Sequence, residues 1–397
     1  MTPLYLSAYT ACTCLGRGLL PHQQAIADGK SGLKPCDFET VKLDTYIGEV
    51  AGVDNVILRQ DLKDFDCRNN RLAQMALETD AFDQAAQAVI ARYGTQRVGV
   101  FLGTSTAGIL QTELAYRRRD PLTGALPTDF IYRTTHNAFS VAEFVHRYFG
   151  LRGPAVVVST ACSSSAKVFA SAQRMIACGF IDAAIVGGVD SLCLTTLYGF
   201  NSLELTSNEP CRPYDAERKG ISIGEGAAFI LLERLPNSLD SHAPLLLGVG
   251  ESSDAYHMSS PHPEGRGARQ AMAAALAAAG LTPNDVDYIN LHGTATHNND
   301  AAEGCAVAAL FGDQTPCSSS KGATGHTLGA AGAVEAILCA QALSSGIMPG
   351  SVHTQSLDSA ISINYLLAPR AQTLSRVLSN SFGFGGSNCS LLLGRAH

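Results

Sequence analysis

Four segments hold residues whose types and spacing can do covalent chemistry. Cys162 stands in Thr160-Ala-Cys-Ser-Ser-Ser165, directly after the apolar run Ala155-Val-Val-Val158. A buried strand that turns on small residues and restarts as a helix puts this thiol at a helix N-terminus, where the dipole and free N–H groups favour a thiolate. His292 follows the apolar run Tyr288–Leu291 and opens Gly293-Thr-Ala-Thr296. The carboxyl end of a strand in an α/β sheet is where active sites gather. His297, a step further on, reads as a surface residue. Lys321 and His326 lie five residues apart on a glycine-containing loop, and Glu335 sits in the small-residue helix that follows. A carboxylate there needs a partner. Finally, Ser379-Asn-Ser-Phe-Gly-Phe-Gly-Gly-Ser-Asn-Cys389 reads as a glycine loop with a phenylalanine plug, whose N–H groups suit an oxyanion. A Cys nucleophile beside two His and a Lys points to acyl transfer through a thioester.

These loops need rigid elements behind them. Apolar strands are expected at Leu4–Thr10, Arg97–Gly103, Ala155–Ser159, Ala183–Gly187 and Gly226–Leu232. A second series reads Leu245–Val249, Val286–Leu291, Val377–Asn380 and Cys389–Leu393. Between them lie helical patterns at Arg68–Arg92, Ala107–Arg118, Cys162–Gly179, Ala268–Ala279, Ala301–Leu310 and Gly329–Leu343. Continuous apolar strands alternating with helices mean largely parallel, buried sheets and an α/β fold. Two comparable halves, joined near Arg234–Ala243, suggest a duplicated βαβ domain, although residue identities do not visibly repeat.

Composition removes several classes. Charged residues make up 16 % and hydrophobic residues 46 % of the 397, which excludes intrinsic disorder. The net charge of −7 speaks against nucleic-acid binding. Twelve cysteines without a signal peptide read as reduced, mostly buried thiols of a cytoplasmic protein, and no membrane span is expected. Cys12 and Cys14 have no second Cys/His pair at zinc spacing, so no metal site is expected.

The whole chain resembles the β-ketoacyl-acyl carrier protein synthases, condensing enzymes of the thiolase-like superfamily. The Cys162 elbow, His292-Gly-Thr-Ala-Thr, Lys321, Gly325-His326-Thr-Leu-Gly-Ala-Ala-Gly and Asn380-Ser-Phe-Gly-Phe-Gly-Gly-Ser-Asn are similar to that family's motifs and run in its order. Asp215 to Arg218 and Gly224-Glu-Gly-Ala match a further family turn.

The resemblance implies a thiolase-like fold with duplicated βαβαβαββ halves in a five-layered α-β-α-β-α architecture. Residues 1–238 would form the half with the nucleophile. Residues 239–397 would form the half with both histidines and the gating loop. Cys162 would carry the growing acyl chain as a thioester. The N–H groups of Cys162 and Phe384 would form the oxyanion hole. His292 and His326 would stabilise the enolate formed from malonyl carrier protein, with Lys321 and Glu335 organising His326. Thr294 and Thr296 would bind pantetheine, and Phe382 and Phe384 would gate the acyl pocket. No cofactor is implied, because substrates arrive on the phosphopantetheine of an acyl carrier protein. The implied oligomer is a homodimer or a heterodimer with a related synthase or chain-length-factor subunit.

Some positions depart from the family pattern. His297 replaces a familiar Pro, Asn298-Asn299 replaces a small pair, and Lys219 stands where many members carry an acid. With the serine-rich elbow, these point from housekeeping fatty-acid synthesis towards polyketide or aryl polyene pathways. Two other functions compete. A silent chain-length factor would lack the nucleophile. A degradative thiolase would need a second catalytic Cys near the C-terminus, where Cys389 lies in the wrong context. Arg117, Arg118, Arg119, Arg133, Lys63, Arg68 and Arg71 are candidates for a basic patch that meets an acidic carrier.

Overall fold

The computed structural model describes residues 1–396. Its first half contributes β1 (Leu4–Thr13), β2 (Val98–Gly103), β3 (Ala155–Val158), β4 (Ala183–Asp190) and β5 (Gly226–Arg234). They order as β3-β2-β4-β5-β1. The first three are parallel, and β5 runs antiparallel to both neighbours. The second half contributes β6 (Pro244–Ser253), β7 (Tyr288–Asn290), β8 (Pro316–Ser318), β9 (Arg376–Gly383) and β10 (Ser387–Arg395). Their order is β8-β7-β9-β10-β6, again with three parallel strands and then an antiparallel one. Even the irregularity recurs: β1 shifts register between Leu6 and Ala8, and β6 between Leu246 and Gly248. The duplication that residue identities hide is thus plain in strand order. The two sheets are not separate. β1 pairs with β6 at Leu4↔Leu246 and Tyr5↔Leu245, which joins the halves edge to edge.

Seven helices complete the layers: α1 (Arg68–Leu77), α2 (Phe82–Tyr93), α3 (Ser140–Tyr148), α4 (Ser164–Ala177), α5 (Arg266–Ala279), α6 (His297–Phe311) and α7 (Ala331–Ser345). Successive strand residues face opposite sides. Val98, Val100, Ile185 and Leu231 pack against α1, α2 and α3. Phe101, Val186 and Ile230 turn the other way, onto α4 and α7. Leu391 and Leu393 cover α4 and α7 from the second sheet. Its far face, with Ile289, Leu378 and Leu392, carries α5 and α6. The result is five layers with α4 and α7 at the centre. Leu328–Ser345 is apolar and long enough to cross a membrane, but it lies almost wholly inside the protein.

The expected helix over Arg68–Arg92 is broken at Glu78–Ala81, where Asp80 and Ala81 both take φ of 55°. The Asp80 carboxylate accepts from Thr10 Oγ1 at 2.8 Å and Leu19 N at 3.0 Å, so distant partners hold the break. The helix after Cys162 also starts later than expected, at Ser164.

The two central helices meet almost without side chains. A Cβ on Gly332 of α7 would lie 2.7 Å from Ala166 N of α4, and on strand β4 one on Gly188 would lie 2.5 Å from Ser165 Cβ of the same helix. The serines after Cys162 are therefore seam residues, and Ser165 Oγ accepts from Ala333 N at 2.9 Å. Gly332→Ala should cost about 1–3 kcal/mol of stability by overpacking. Gly199→Ala, in an exposed helix with nothing within 4 Å, should be neutral or slightly stabilising. Denaturant midpoints of the two variants check this contrast.

Candidate active site

Cys162 lies between β3 and α4 on a strained turn: Ala161 has φ of 52° although it is not glycine. Side chains hold the turn. Ser164 Oγ donates to Ala161 O, Thr160 N donates to Ser164 Oγ at 2.9 Å, and Ser163 Oγ donates to Thr160 O at 2.9 Å. The thiol is 5 % exposed. Burial pushes it up to about 11, against the pull of the Lys321 ammonium and the N–H groups of Phe384 and Cys162. The thiolate expected from the helix terminus is therefore not the resting form. A helix dipole is worth up to ~2 kcal/mol, and here desolvation outweighs it.

His292 leaves β7 into a loop fixed by Glu303 of α6, which accepts His292 N and Gly293 N, each at 2.8 Å. His326 reaches across from the loop before α7, and its Nε2 lies 3.0 Å from Cys162 Sγ. The two imidazoles meet edge to face, with centroids 5.4 Å apart. One nitrogen of each His and the Cys162 sulfur all lie within 4.8 Å of one another.

Lys321 and Glu335, expected to organise His326, instead hold His292, and His326 is held by Leu328 N. Lys321 Nζ donates to Glu335 Oε1 at 2.5 Å, to His292 O at 2.5 Å and to His292 Nδ1 at 3.3 Å. Because Nδ1 accepts, the His292 proton must be on Nε2. His326 Nδ1 accepts from Leu328 N at 3.3 Å, which puts its proton on Nε2 as well. Burial holds both histidines well below the usual imidazole range, and Lys321 adds to the effect. Both are neutral donors packed beside the Cys162 sulfur. Burial raises Glu335 to about 7 in spite of Lys321.

A cavity of about 410 Å³ opens over these residues. Cys162, His292, His326, Thr294, Thr296 and Phe382 are among its lining residues, and Phe384 closes one side. Thr294 and Thr296 bond to each other through their hydroxyls at 2.9 Å. Phe382 packs on His292, whereas Phe384 is 36 % exposed and stacks on Phe200. The departures Lys219, His297, Asn298 and Asn299 also face the cavity. Cys389 is buried within β10 and is not among the lining residues, although its neighbour Asn388 is.

Some expectations need correction. Arg68 is no surface cation: it is buried and ion-paired with Glu225, Glu49 and Asp54. Arg71, Arg117, Arg118 and Arg133 have acidic partners. Sequence reasoning also passed over Asp190, Asp300 and Glu303. Asp190 ends an apolar strand, and Asp300 and Glu303 sit on an alanine-rich helix; the argument applied to Glu335 would have found all three.

The five layers and this buried cysteine–histidine centre define a thiolase-like condensing enzyme. The profile of the β-ketoacyl synthase N-terminal domain matches residues 8–238, and that of its C-terminal domain matches 245–355. The 3-oxoacyl-[acyl-carrier-protein] synthase 2 of Coxiella burnetii is 34 % identical over 403 residues, covering 96 % of this chain and 95 % of its own. The enzyme of the same name from Rhizobium meliloti is 38 % identical over 315 residues, 75 % of this chain and 74 % of its own. Among solved structures, a ketosynthase (ApeO) in complex with its chain length factor (ApeC) from Xenorhabdus doucetiae superposes with a TM-score of 0.90 at 39 % identity, covering 100 % of this chain and 98 % of that one. The chain belongs to the β-ketoacyl synthase family, and its chemistry is acyl transfer by condensation.

With the thiol at about 11, alkylation of Cys162 by iodoacetamide should climb roughly tenfold per pH unit above neutrality and level off only near its pKa. Peptide mass spectrometry across pH reads this directly. A plateau near pH ~8, the range of a free thiol, would show that burial does not control the nucleophile.

Proposed function

We propose that this chain is an elongating β-ketoacyl-acyl carrier protein synthase. An acyl chain passes from the pantetheine sulfur of one carrier to Cys162. The S–C bond to pantetheine breaks, the bond to Cys162 forms, and the thiol proton leaves on the pantetheine sulfur. The N–H groups of Cys162 and Phe384 hold the oxyanion. Malonyl carrier then enters, with Thr294 and Thr296 bonding its pantetheine. CO2 leaves, and the enolate oxygen is held by the Nε2–H groups of His292 and His326. The enolate carbon attacks the acyl carbonyl and releases the Cys162 thiolate, giving a chain two carbons longer. Fixed neutral donors stabilise charge as it develops without themselves losing a proton. The observation that carries this reading is the pair of Nε2–H donors packed beside Cys162. In this scheme the nucleophile belongs to residues 1–238, and both histidines and the gating loop belong to 239–397.

The scheme asks for no cofactor, because both substrates come on carrier phosphopantetheine. All twelve thiols are free, which supports a cytoplasmic setting. A dimer is part of the proposal, with a second copy or a chain length factor as partner. β3 ends the sheet as a partly exposed apolar edge, and Ile131, Tyr132 and Phe139 are exposed large apolar residues. Such an edge is normally covered. The cavity-facing departures support a polyene or polyketide pathway. A silent chain-length-factor role is disfavoured by the complete Cys162, His292, Lys321 and His326 set, and a degradative thiolase role by Cys389 standing outside the cavity lining.

Cys162→Ala should abolish the acyl adduct seen by intact-protein mass spectrometry while the protein stays folded. An adduct that persists on the variant overturns the assignment. Cys162→Gln, whose amide mimics the acyl-enzyme, should still release CO2 from malonyl carrier, and no release would count against the two-histidine scheme. Wild-type enzyme offered a panel of saturated, unsaturated and β-keto carriers should load beyond the saturated ones. Exclusive loading of saturated chains removes the polyene assignment.

A further inference from the structure

Asp190, the last residue of β4, is fully buried and has no part in the scheme above. Five donors converge on its carboxylate. Thr104 Oγ1 (2.7 Å), Ser105 N (2.7 Å), Thr106 N (2.9 Å) and Thr106 Oγ1 (2.9 Å) come from the turn after β2. Gly329 N (2.6 Å) comes from the other half of the chain, three residues beyond His326. The three backbone N–H groups can only donate, so the carboxylate is their acceptor; burial pushes it above the usual carboxylate range, and the bonds from Thr104, Ser105 and Thr106 pull it back towards the ionised form.

Its two sets of partners lead to the two reacting groups. In the turn after β2, Ser105 Oγ donates to the carbonyl of Ala161 at 3.4 Å, the strained residue just before Cys162. On the other side, Gly329 follows Leu328, whose N–H fixes the His326 tautomer. A Cβ on Gly329 would lie 2.6 Å from Ser105 Oγ and 2.8 Å from Asp190 Oδ2, so the two loops touch around the carboxylate. Three non-glycine residues near it take positive φ: Ala107 (43°), Ala161 (52°) and Leu328 (51°). Such conformations persist only where the surroundings over-determine them.

We propose that Asp190 is a positioning residue: one buried carboxylate fastens the loop that carries His326 to the turn that supports Cys162, and so sets the distance between imidazole and thiol. Its kinetic consequence rests on the condensing reading above.

Its charge supplies a second readout. The charged or titratable groups that face Cys162 are Lys321, His292, His326 and Asp190, with the Phe384 N–H from the gating loop. Lys321 favours the thiolate, and Asp190 opposes it. Asp190→Asn should therefore lower kcat by roughly 100-fold, as a misplacement of about 1 Å does, with KM for both carriers within about twofold. In the same protein, Cys162 alkylation should shift to lower pH, because a negative charge is gone. Loosening that wets the thiol would move alkylation the same way, so the shift is read as the lost charge only with the thermal midpoint and near-UV circular dichroism of Asp190→Asn at their wild-type values. Where Asp190→Asn misses those values or does not fold, Gly329→Ala keeps the charge and presses the loops apart; it should lose kcat with an unmoved alkylation profile. The proposal is overturned by an Asp190→Asn enzyme of near wild-type kcat. It is equally overturned if kcat falls while alkylation stays put or moves to higher pH, or if Gly329→Ala retains full kcat. Alkylation needs no carrier, so wild-type protein inactive with every carrier would sink the condensing reading and leave this test standing.

Discussion

The Lys321 ammonium is the charge on which the rest of the centre depends. It is 1 % exposed, and its Nζ lies among one carboxylate, one carbonyl and one imidazole nitrogen. Removing either member of such a buried pair leaves an uncompensated charge, at a cost of about 3–5 kcal/mol. With the pair intact, the ammonium does two things at short range. It takes the lone pair of His292 Nδ1, which fixes the tautomer. Its field also opposes protonation of both histidines. The centre therefore presents two donors that are not acids. In the condensation proposed above, the enolate is suited to such donors, because a stronger acid would protonate the carbon nucleophile before it could attack.

The fold brings this charge to a thiol from the other half of the chain. Each half repeats the same order of three parallel strands followed by an antiparallel one, and α4 and α7 lie between the two sheets. Cys162 comes from the first half, whereas His292, Lys321 and His326 come from the second. Besides the two residue pairs that join β1 to β6, the central helices pack against both sheets in one core. The closeness of those helices, with glycine against serine and alanine, explains a composition rich in small residues.

Much of this could be read from one chain of letters, for physical reasons. Strands buried on both faces show as unbroken apolar runs, and reactive residues placed just after them on glycine turns stand out. Cys162, His292, Lys321, His326 and Glu335 were all visible in this way. What stayed hidden depends on partners far along the chain. The break at Asp80 is made by Thr10 and Leu19. Arg68 looks like a surface cation until Glu225, over a hundred and fifty residues away, pairs with it. The protonation state of Cys162 follows from burial, which no local pattern encodes. Asp190, Asp300 and Glu303 are a different case: acids in apolar or alanine-rich runs carried a usable signal that was applied only to Glu335.

The bare seam between α4 and α7 has a mechanical consequence. Long side chains at an interface act as a cushion, because they change rotamer and absorb small slips. Glycine, alanine and serine have little to rearrange, so a displacement of one half passes undiminished to the contact between His326 and Cys162. In the condensing scheme proposed above, the geometry of the reacting pair is thus tied to how well the two halves are seated on each other.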